Sequence, residues 1–320
     1  MIERFRIFPE QASTLAPQTD ALLFFLLAVT TFFVVLIAGT IIVFMIRYRR
    51  RDPDEIPESG AHGSLALEIA WTVPPLVIVM VIFFWGASLF ATIQRPPDDA
   101  INIDVVGKQW MWKLQHMEGR REINELHIPV GKPVKLTMTS EDVIHSFFVP
   151  AFRTKQDAVP GRYTTTWFEA TKPGSYHLFC AEYCGTIHSG MIGYVIAMEP
   201  AEFQAWLQSG QAGALPPVSP AAAGEALFQA QGCVSCHAGG TDQRGPQLAG
   251  LFGTTVHFAD GGTGVADENY LRESILDPQA HLVQGYQAIM PTYQGLLSEE
   301  NVMQLIAYLK TLKTEEAKTP

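Results

Sequence analysis

The chain has 320 residues, of which 48% are hydrophobic, and it carries a formal net charge of −10 at pH 7. This length allows two or three domains, and the hydrophobic share is consistent with a membrane anchor joined to soluble domains. The negative charge argues against a nucleic-acid partner.

Two apolar runs without a charged residue lie near the N-terminus, at 21–46 and 69–93. Each is long enough to span a bilayer, so together they predict a transmembrane hairpin of two helices. A cleaved signal peptide is the alternative for the first run, but its apolar core is too long and no cleavage site accompanies it. Arg47 and the arginines at 49–51 follow the first run, and such a cluster marks the cytoplasmic side. The N-terminus and the chain beyond the second run are therefore predicted to lie outside.

The second run contains Pro74 and Pro75. A membrane helix tolerates prolines when neighbouring helices satisfy the freed carbonyls, so a partner in the membrane is expected. Neither run contains a histidine, so the hairpin offers no imidazole ligand to a metal centre.

Beyond Pro96 and Pro97 the pattern changes to short alternating apolar runs separated by glycine and proline. This pattern favours an antiparallel β-sandwich. The predicted strands are 101–106, 108–115, 133–140, 163–169, 175–179 and 191–198. A further alternating run, 140–150, predicts a strand that carries His145.

The four cysteines form two pairs, each inside a motif, so none is left for a separate structural disulfide. Cys180 and Cys184 are followed by His188 and Met191, which puts four metal ligands within twelve residues, and His145 is the candidate second imidazole. Thiolate and thioether ligands favour copper, which is the predicted metal. Structural zinc is an alternative that gives the methionine no role. A disulfide is another, and it would leave both the methionine and its neighbouring histidine idle.

Residues 208–223 are rich in Gly, Pro, Ser and Ala and are predicted to form a linker. The second cysteine pair follows in Cys233-Val234-Ser235-Cys236-His237, the C-x-x-C-H pattern of covalent haem c attachment. Both thiols would add to the haem vinyl groups while the histidine reaches the iron. A thioredoxin-type redox pair is the alternative, but it needs a βαβ frame and no trailing histidine.

A cytochrome of this kind needs a sixth iron ligand, and methionine is the ligand that raises the potential. Met290 lies in a loop just before Pro291 and is the predicted ligand. Met303 lies on the apolar stripe of a final helix predicted over 298–311, with Ser298 as its N-cap, and is predicted to pack in the core. From residue 219 onward eleven acidic residues oppose five basic ones. This charge either steers a basic electron donor or only keeps the surface soluble.

The loop from Cys180 to Met191, with His145 upstream and the run at 156–162, resembles the copper loop of subunit II of haem-copper cytochrome c oxidases. The resemblance implies a binuclear mixed-valence copper centre, CuA, in a cupredoxin-like domain. In that family both thiolates bridge the two coppers and each copper takes one histidine. The weak axial ligands are the methionine sulfur and a backbone carbonyl, which here is that of Glu182. The C-terminal part is similar to class I cytochromes c, whose first and last helices cross, so Gly224 is expected to meet the final helix.

Four further roles follow from resemblance alone. Trp110 matches the tryptophan through which electrons arrive, with a core aromatic as the alternative. The side chain of Glu182 matches a ligand of a magnesium ion shared with the partner subunit. Glu68 is similar to a glutamate at the mouth of a proton-uptake path, with a solvated carboxylate at a helix end as the alternative. Pro246 matches a proline whose carbonyl accepts a hydrogen bond from the haem histidine, here His237.

The predicted architecture is multidomain: an N-terminal segment with a two-helix transmembrane hairpin (1–95), an all-β cupredoxin-like CuA domain (96–207), a linker (208–223) and an all-α class I cytochrome c domain (224–320). The resemblance implies the electron-transfer subunit of a caa3-type terminal oxidase in a bacterial plasma membrane. Electrons from a soluble or membrane-bound donor would pass through haem c and CuA to subunit I, where O2 becomes water with coupled proton translocation. Subunit III is a further expected partner.

Four alternatives stand against this prediction. A membrane-anchored copper chaperone would need neither Met191, nor His188 so close to the thiols, nor a haem. A haem-copper redox carrier that is not part of an oxidase stays open as an alternative. Nitrous oxide reductase requires a second copper cluster built from more histidines than this chain, with nine in total, can supply. Quinol oxidase subunits share the fold but keep no cysteine pair.

Overall fold

The computed structural model describes residues 8–52, 63–209, 218–237 and 244–312, and the chain falls into two compact units. One unit is Thr14–Arg95, and the other contains the residues up to Ser13 together with those from Pro96 onward. Residues 210–217 of the predicted linker and the end of the predicted C-terminal domain, 313–320, lie outside the described residues.

The first unit is a pair of long apolar helices, α1 Ala16–Arg47 and α2 Leu65–Gln94. At about 1.5 Å per residue, each exceeds the roughly 30 Å of a bilayer's hydrocarbon core. Most of their large apolar side chains are exposed, while Phe25 and Trp85 pack ring against ring, with centroids 5.5 Å apart. Both prolines of the second apolar run lie inside α2. Each predicted span is therefore a helix, a few residues longer than its apolar run.

The second unit begins with two five-stranded sheets that pack face to face. In chain order their strands are β1 Ile101–Lys108, β2 Met111–His116, β3 Arg121–Ile123, β4 Glu125–Pro129, β5 Pro133–Ser140, β6 His145–Val149, β7 Thr154–Ala158, β8 Thr164–Glu169, β9 Gly174–Cys180 and β10 Ile192–Met198. One sheet has the order β3-β2-β1-β5-β8 and the other β4-β10-β9-β6-β7. Trp112, Phe147 and Phe168 lie fully buried in the core that the two sheets share.

The sandwich is not purely antiparallel as predicted, because β1 pairs in parallel with β5 and β10 pairs in parallel with β4. Three strands also lie outside the predicted runs. β3 is only 3 residues long, β7 is largely polar, and β4 alternates over too short a stretch to stand out. Strand direction depends on partners that are distant in sequence, which local periodicity does not report. The predicted strand at 108–115 starts later, at Met111, because the two residues before it form the turn from β1.

A helix, α3 Pro200–Gln208, follows the sandwich and is held by a cluster of polar and aromatic side chains. The carboxylate of Glu122 is hydrogen-bonded to His116 Nε2 at 2.8 Å and to His127 Nδ1. Trp206 of α3 stacks on His127 with ring centroids 4.4 Å apart. This cluster anchors the chain to the sandwich just before the predicted linker.

The C-terminal part is mainly helical, with one small hairpin. Its elements are α4 Pro220–Ala230, α5 Val234–His237, β11 Thr255–His257, β12 Thr263–Val265, α6 Glu268–Leu276 and α7 Glu299–Thr311. α7 starts as predicted, because Ser298 caps it through the backbone N–H of Asn301 and the Asn301 side chain reaches back to the cap. The short two-stranded sheet was not predicted, since three residues per strand carry almost no periodic signal.

The first and last helices of this part cross at Gly224, as predicted. A Cβ atom built on Gly224 would lie 1.9 Å from the backbone oxygen of Gln304, so the close approach of α4 and α7 requires glycine. Phe228, one turn further along α4, packs on Tyr308 with ring centroids 5.4 Å apart. This crossing brings α4 and α7 together over one apolar core.

The C-terminal helices pack on the outer face of the sheet that contains β1. Side chains of a strand alternate between its faces, and Ile103 and Val105 point into the sandwich core. Val106 points the other way and is only 3% exposed, because it joins the apolar cluster formed by α4, α6 and α7. Lys113 of β2 forms an ion pair with Glu300 of α7 at 3.5 Å on the same face.

Asp104 shares this face and provides a test of the packing. Burial raises the pKa of Asp104 to about 7, with Glu268 adding to the rise and Lys310 and Lys135 opposing it. Because the folded protein binds this proton more tightly than the unfolded chain, stability falls as pH rises from the ordinary carboxyl value of 3.8 towards 7. We therefore expect Asp104→Asn to raise the thermal unfolding midpoint by a few degrees at alkaline pH.

The measurement is thermal unfolding of the full-length chain by circular dichroism at pH 5 and at pH 8. The midpoint gain of Asp104→Asn should be larger at pH 8, where the wild-type carboxyl is forced to ionise in a desolvated site. Asp99→Asn, which alters an exposed carboxyl, serves as the control and should change little at either pH. An equal gain in the unfolding midpoint at pH 5 and pH 8 would show that the buried charge of Asp104 does not limit stability.

Candidate copper and haem sites

Two separate segments converge at one edge of the sandwich. β6 begins with His145, which is fully buried and pairs with Ala158 of β7. β9 ends at Cys180, and the loop between β9 and β10 carries Cys184, followed by a 3₁₀ turn at His188–Gly190 and then Met191. Because β6 and β9 are neighbours in the sheet, the loop closes over His145.

The sulfur and nitrogen atoms of these residues lie within a few ångströms of one another. The Sγ atoms of Cys180 and Cys184 are 3.7 Å apart. Each sulfur has its own imidazole: Cys180 Sγ is 3.9 Å from His145 Nδ1, and Cys184 Sγ is 3.5 Å from His188 Nδ1. Met191 Sδ lies 3.8 Å from Cys184 Sγ. All five predicted ligand side chains are therefore brought together.

This donor set fits a copper site and does not match the alternatives. The two thiols are free, and their 3.7 Å separation far exceeds the roughly 2.05 Å of a disulfide. A metal–thiolate bond of about 2.3 Å would still let both sulfurs bind one ion. Structural zinc would use four of these groups and leave the buried thioether of Met191 idle, whereas soft sulfur ligands favour copper.

The electrostatics of the two thiols also favour a bound cation. Burial by itself raises the pKa of Cys180, but hydrogen bonds, chiefly from His145, lower it to about 6. Burial and the neighbouring Cys180 thiolate raise the pKa of Cys184. The second thiol therefore resists ionisation unless positive charge enters the site, and a metal ion supplies that charge.

Asp142 was not among the predicted site residues, although it lies only three positions before His145. Its Oδ1 is 2.8 Å from His145 Nε2, which leaves Nδ1 to face the sulfurs. Its Oδ2 accepts a 2.7 Å hydrogen bond from the backbone N–H of Gln109. Gly107 of β1 is equally constrained, since a Cβ there would lie 2.9 Å from the His145 ring. These residues orient the imidazole in the way that outer partners orient metal-bound histidines.

Trp110 lies beside the loop in the turn between β1 and β2. Its indole Nε1 donates a 3.2 Å hydrogen bond to the backbone oxygen of Cys184, and Gln109 Nε2 donates to the same oxygen at 2.9 Å. Trp112 is the core aromatic of this pair, fully buried with its ring 5.9 Å from that of His145. The side chain of Trp110 thus touches the candidate copper loop while remaining partly exposed.

Glu182 and Glu68 occupy different surroundings. The backbone oxygen of Glu182 lies 3.3 Å from Cys180 Sγ, next to the candidate metal site, while the residue is exposed. Glu68 lies exposed in the first turn of α2. A carboxylate at this position interacts favourably with the helix dipole, as the helix-end alternative expects.

The second candidate site is a cavity of about 340 Å³ in the C-terminal part. Cys233, Cys236 and His237 lie on its wall, and Met290 contributes from the distant loop. Most of its remaining lining is apolar and includes Phe228, Leu248, Leu251, Leu271, Ile275, Leu305 and Leu309. An apolar cavity with two thiols, one imidazole and one thioether fits a covalently attached haem. In the part of this region that the structure describes, α5 does not belong to the βαβ frame that the thioredoxin-type alternative needs.

Among the described residues, one hydrogen bond orients the imidazole of His237. Its Nδ1 is hydrogen-bonded to the backbone oxygen of Pro246 at 2.8 Å, which leaves Nε2 free to bind iron. Gly245 lies directly against the ring, because a Cβ there would come within 2.6 Å of His237 Cε1. Pro246 therefore supplies the hydrogen-bond acceptor for the imidazole, and Gly245 leaves the space that the ring occupies.

The two candidate methionines occupy different places. Met290 lines the cavity that also contains the cysteines and His237. Met303 is 6% exposed and packs with Val302, Leu305 and Ile306 in the core of the helices. This difference in position favours Met290 as the iron ligand.

Comparison with known proteins gives the same order of parts. Family models for "Cytochrome C oxidase subunit II, transmembrane domain", "Cytochrome C oxidase subunit II, periplasmic domain" and "Cytochrome c" match residues 3–89, 120–198 and 221–313. A cytochrome c oxidase subunit 2 from Alkalihalophilus pseudofirmus is 37% identical over 284 residues, covering 86% of this chain and 81% of the relative. The chain belongs to the cytochrome c oxidase subunit II family.

A second relative agrees with this assignment. A cytochrome c oxidase subunit 2 from Thermostichus vulcanus is 34% identical over 267 residues, covering 67% of this chain and 81% of the relative. Among solved structures, the periplasmic domain of subunit II of cytochrome oxidase from Bradyrhizobium japonicum is 33% identical. That match covers 37% of this chain and 97% of that chain, with a TM-score of 0.35.

Membership of the subunit II family confirms the predicted fold class and the predicted function. The chain is an electron-transfer subunit of a haem-copper oxidase, anchored in a membrane and partnered with subunit I. The periplasmic-domain match implies CuA copper, and the cytochrome c match implies haem. The order of the three matches fits the predicted caa3-type fusion and leaves the copper-chaperone alternative without support.

Proposed function

We propose that this subunit II relays electrons from an external donor through a haem c and then a binuclear CuA centre to subunit I. The proposed copper ligands are His145, Cys180, Cys184, His188 and Met191, with the backbone oxygen of Glu182. The observation that carries this assignment is the convergence of two thiols at 3.7 Å, each with its own imidazole, from separate segments of the chain. When bound, the two centres supply one-electron chemistry.

The chain's own residues perform the positioning. Asp142 and Gly107 fix the ring of His145, and burial keeps water away from the two thiolates. Cys233 and Cys236 would tether the haem, His237 and Met290 would bind its iron, and the backbone oxygen of Pro246 holds the imidazole in place. A rigid ligand cage limits the change in geometry that accompanies a change of charge. Covalent fusion replaces a bimolecular encounter with a tethered effective concentration.

Several finer assignments belong to the same proposal. The proposed domain boundaries are 1–95, 96–207, 208–223 and 224–320, with both redox domains on the outer, periplasmic face of a bacterial plasma membrane. The arginines that follow α1 support this orientation. Subunit III and a soluble or membrane-bound donor complete the proposed partners.

Three residues are given roles that rest more on family resemblance than on geometry. Trp110, whose indole nitrogen contacts the copper loop, is proposed as the residue through which electrons arrive. The side chain of Glu182 is proposed to bind magnesium at the boundary with subunit I, and Glu68 to serve a proton-uptake path.

The proposal predicts a defined metal content. We expect two copper atoms and one iron atom per full-length chain after purification, because the site offers two thiolate–imidazole pairs and the cavity offers one haem site. Elemental analysis of the purified chain, normalised to protein by amino-acid analysis, measures this ratio directly. Zinc, or a single copper that dialyses away, would contradict the binuclear assignment.

A further inference from the structure

A turn in the copper-binding sandwich makes direct polar contacts with helix α6 of the cytochrome part. This turn, residues 159–163, joins β7 to β8. The backbone N–H of Tyr163 donates a 2.7 Å hydrogen bond to Asn269 Oδ1, and Arg272 Nη1 donates a 2.7 Å hydrogen bond to the backbone oxygen of Gly161. Asn269 and Arg272 are three residues apart, which places them on one face of α6.

The arginine in this contact is itself held in place. Its guanidinium forms a two-nitrogen ion pair with Glu299 at the start of α7, and both side chains are largely buried. A planar guanidinium paired in this way has little freedom left, so it presents its remaining N–H groups in a fixed direction. The Tyr163 side chain is 5% exposed and packs with Leu271 and Ile275 of α6. The contact therefore combines polar specificity with apolar burial.

The same contact lies close to a copper ligand along two strands. β7, which leads into the turn, pairs with β6 so that Ala158 faces His145. On β1, Gly107 lies against the ring of His145, while its neighbour Val106 packs into the apolar core of the cytochrome helices. The two strands that hold His145, β7 and β1, thus also form or lead into the surface on which the cytochrome part packs.

We propose that Gly161, Tyr163, Asn269 and Arg272 form a docking latch that holds the cytochrome part in one orientation on the copper-binding sandwich. This inference rests on the proposed function, because the transfer that the latch serves moves one electron from ferrous haem to the oxidised copper centre with no change in covalent bonds. A haem that only swings on its linker would reach the copper through many encounter geometries. A latched haem reaches it through one.

Hydrogen exchange of the Tyr163 amide tests whether the latch exists, since that amide is protected by a residue of the other part of the chain. We expect slow exchange in the peptide covering 159–163 of the assembled oxidase. Exchange should rise on the order of tenfold in Asn269→Ala, which removes only the acceptor. Arg272→Met should have a similar effect. Glu273→Ala is the matched control, because Glu273 is the next residue of α6 and its side chain faces His281 instead of the turn.

The rate of haem-to-copper electron transfer, measured after rapid photoreduction of the haem, tests what the latch does. Asn269→Ala should slow this transfer several-fold while leaving the haem potential and the near-infrared copper absorption unchanged. Equal amide exchange in wild type and variants, or an unaltered transfer rate, would overturn the latch. Absence of any haem-to-copper transfer in the wild type would instead refute the proposed electron route, and the exchange experiment would still report on the contact.

Discussion

Replacement of Cys184 by serine is expected to abolish the near-infrared copper absorption while the haem remains attached and reducible. Cys184 is 2% exposed, and its sulfur contacts Cys180 Sγ, His188 Nδ1 and Met191 Sδ. Serine cannot supply a thiolate, and its hydroxyl is a poor ligand for copper in a site whose other donors are soft. Electron transfer to subunit I should fall with the absorption, because the copper centre is the only link proposed between haem c and subunit I.

The measurements are the optical spectrum of the purified oxidase, its copper content, and reduction of the haem by an artificial donor. Tyr183→Phe is the matched control, since Tyr183 lies in the same loop with 76% of its surface exposed and is not a proposed ligand. This variant should keep the full copper absorption. Retention of that absorption in Cys184→Ser would mean that the ligand set is wrong.

Replacement of Met290 by alanine is expected to lower the midpoint potential of the haem by on the order of 0.1 V. Covalent attachment should persist, because Cys233 and Cys236 are untouched and His237 stays bonded to the Pro246 oxygen. A thioether ligand stabilises ferrous over ferric iron, so its loss makes the haem a stronger reductant but a poorer acceptor from the external donor. Turnover with that donor should therefore slow.

Met303→Ala provides the reciprocal experiment. Met303 is buried among the α7 core residues, so its truncation should cost about 2–5 kcal/mol of folding free energy while leaving the haem potential close to that of the wild type. Redox titration and thermal unfolding of both variants separate the two effects. If Met303→Ala shifted the potential and Met290→Ala did not, the axial assignment would have to be exchanged.

The candidate sites were largely predictable because their ligands carry strong local signals. The C-x-x-C-H run indicates haem attachment, and the spacing of Cys180, Cys184, His188 and Met191 indicates a copper site. Each motif is complete within a dozen residues. Asp142 and Gly107 were missed for the opposite reason. The sequence does not distinguish Asp142 from any other aspartate of a loop near a histidine. The need for glycine at position 107 is evident only once the ring of His145 is known to lie against it.

The fold was predictable where periodicity is local. The two apolar runs became α1 and α2, and β5 was placed at its observed bounds, Pro133–Ser140. The parallel pairings of β1 with β5 and of β10 with β4 were not foreseen, because hydrophobic alternation reports which face of a strand is buried and not which strand lies beside it. Strands as short as β3, β11 and β12 leave too few residues for any pattern.

The sequence by itself predicted the membrane anchor, the choice of metal and the haem attachment, because each depends on residue type and short spacing. Only the tertiary structure decided that Tyr163 meets Asn269, that Arg272 reaches the carbonyl of Gly161, and that the partly buried Asp104 lies within electrostatic range of Lys310 and Glu268. The first two of these contacts join residues that are 106 and 111 positions apart in sequence. They arise when two separately folded surfaces exclude water from each other, and no local pattern in the chain encodes that event.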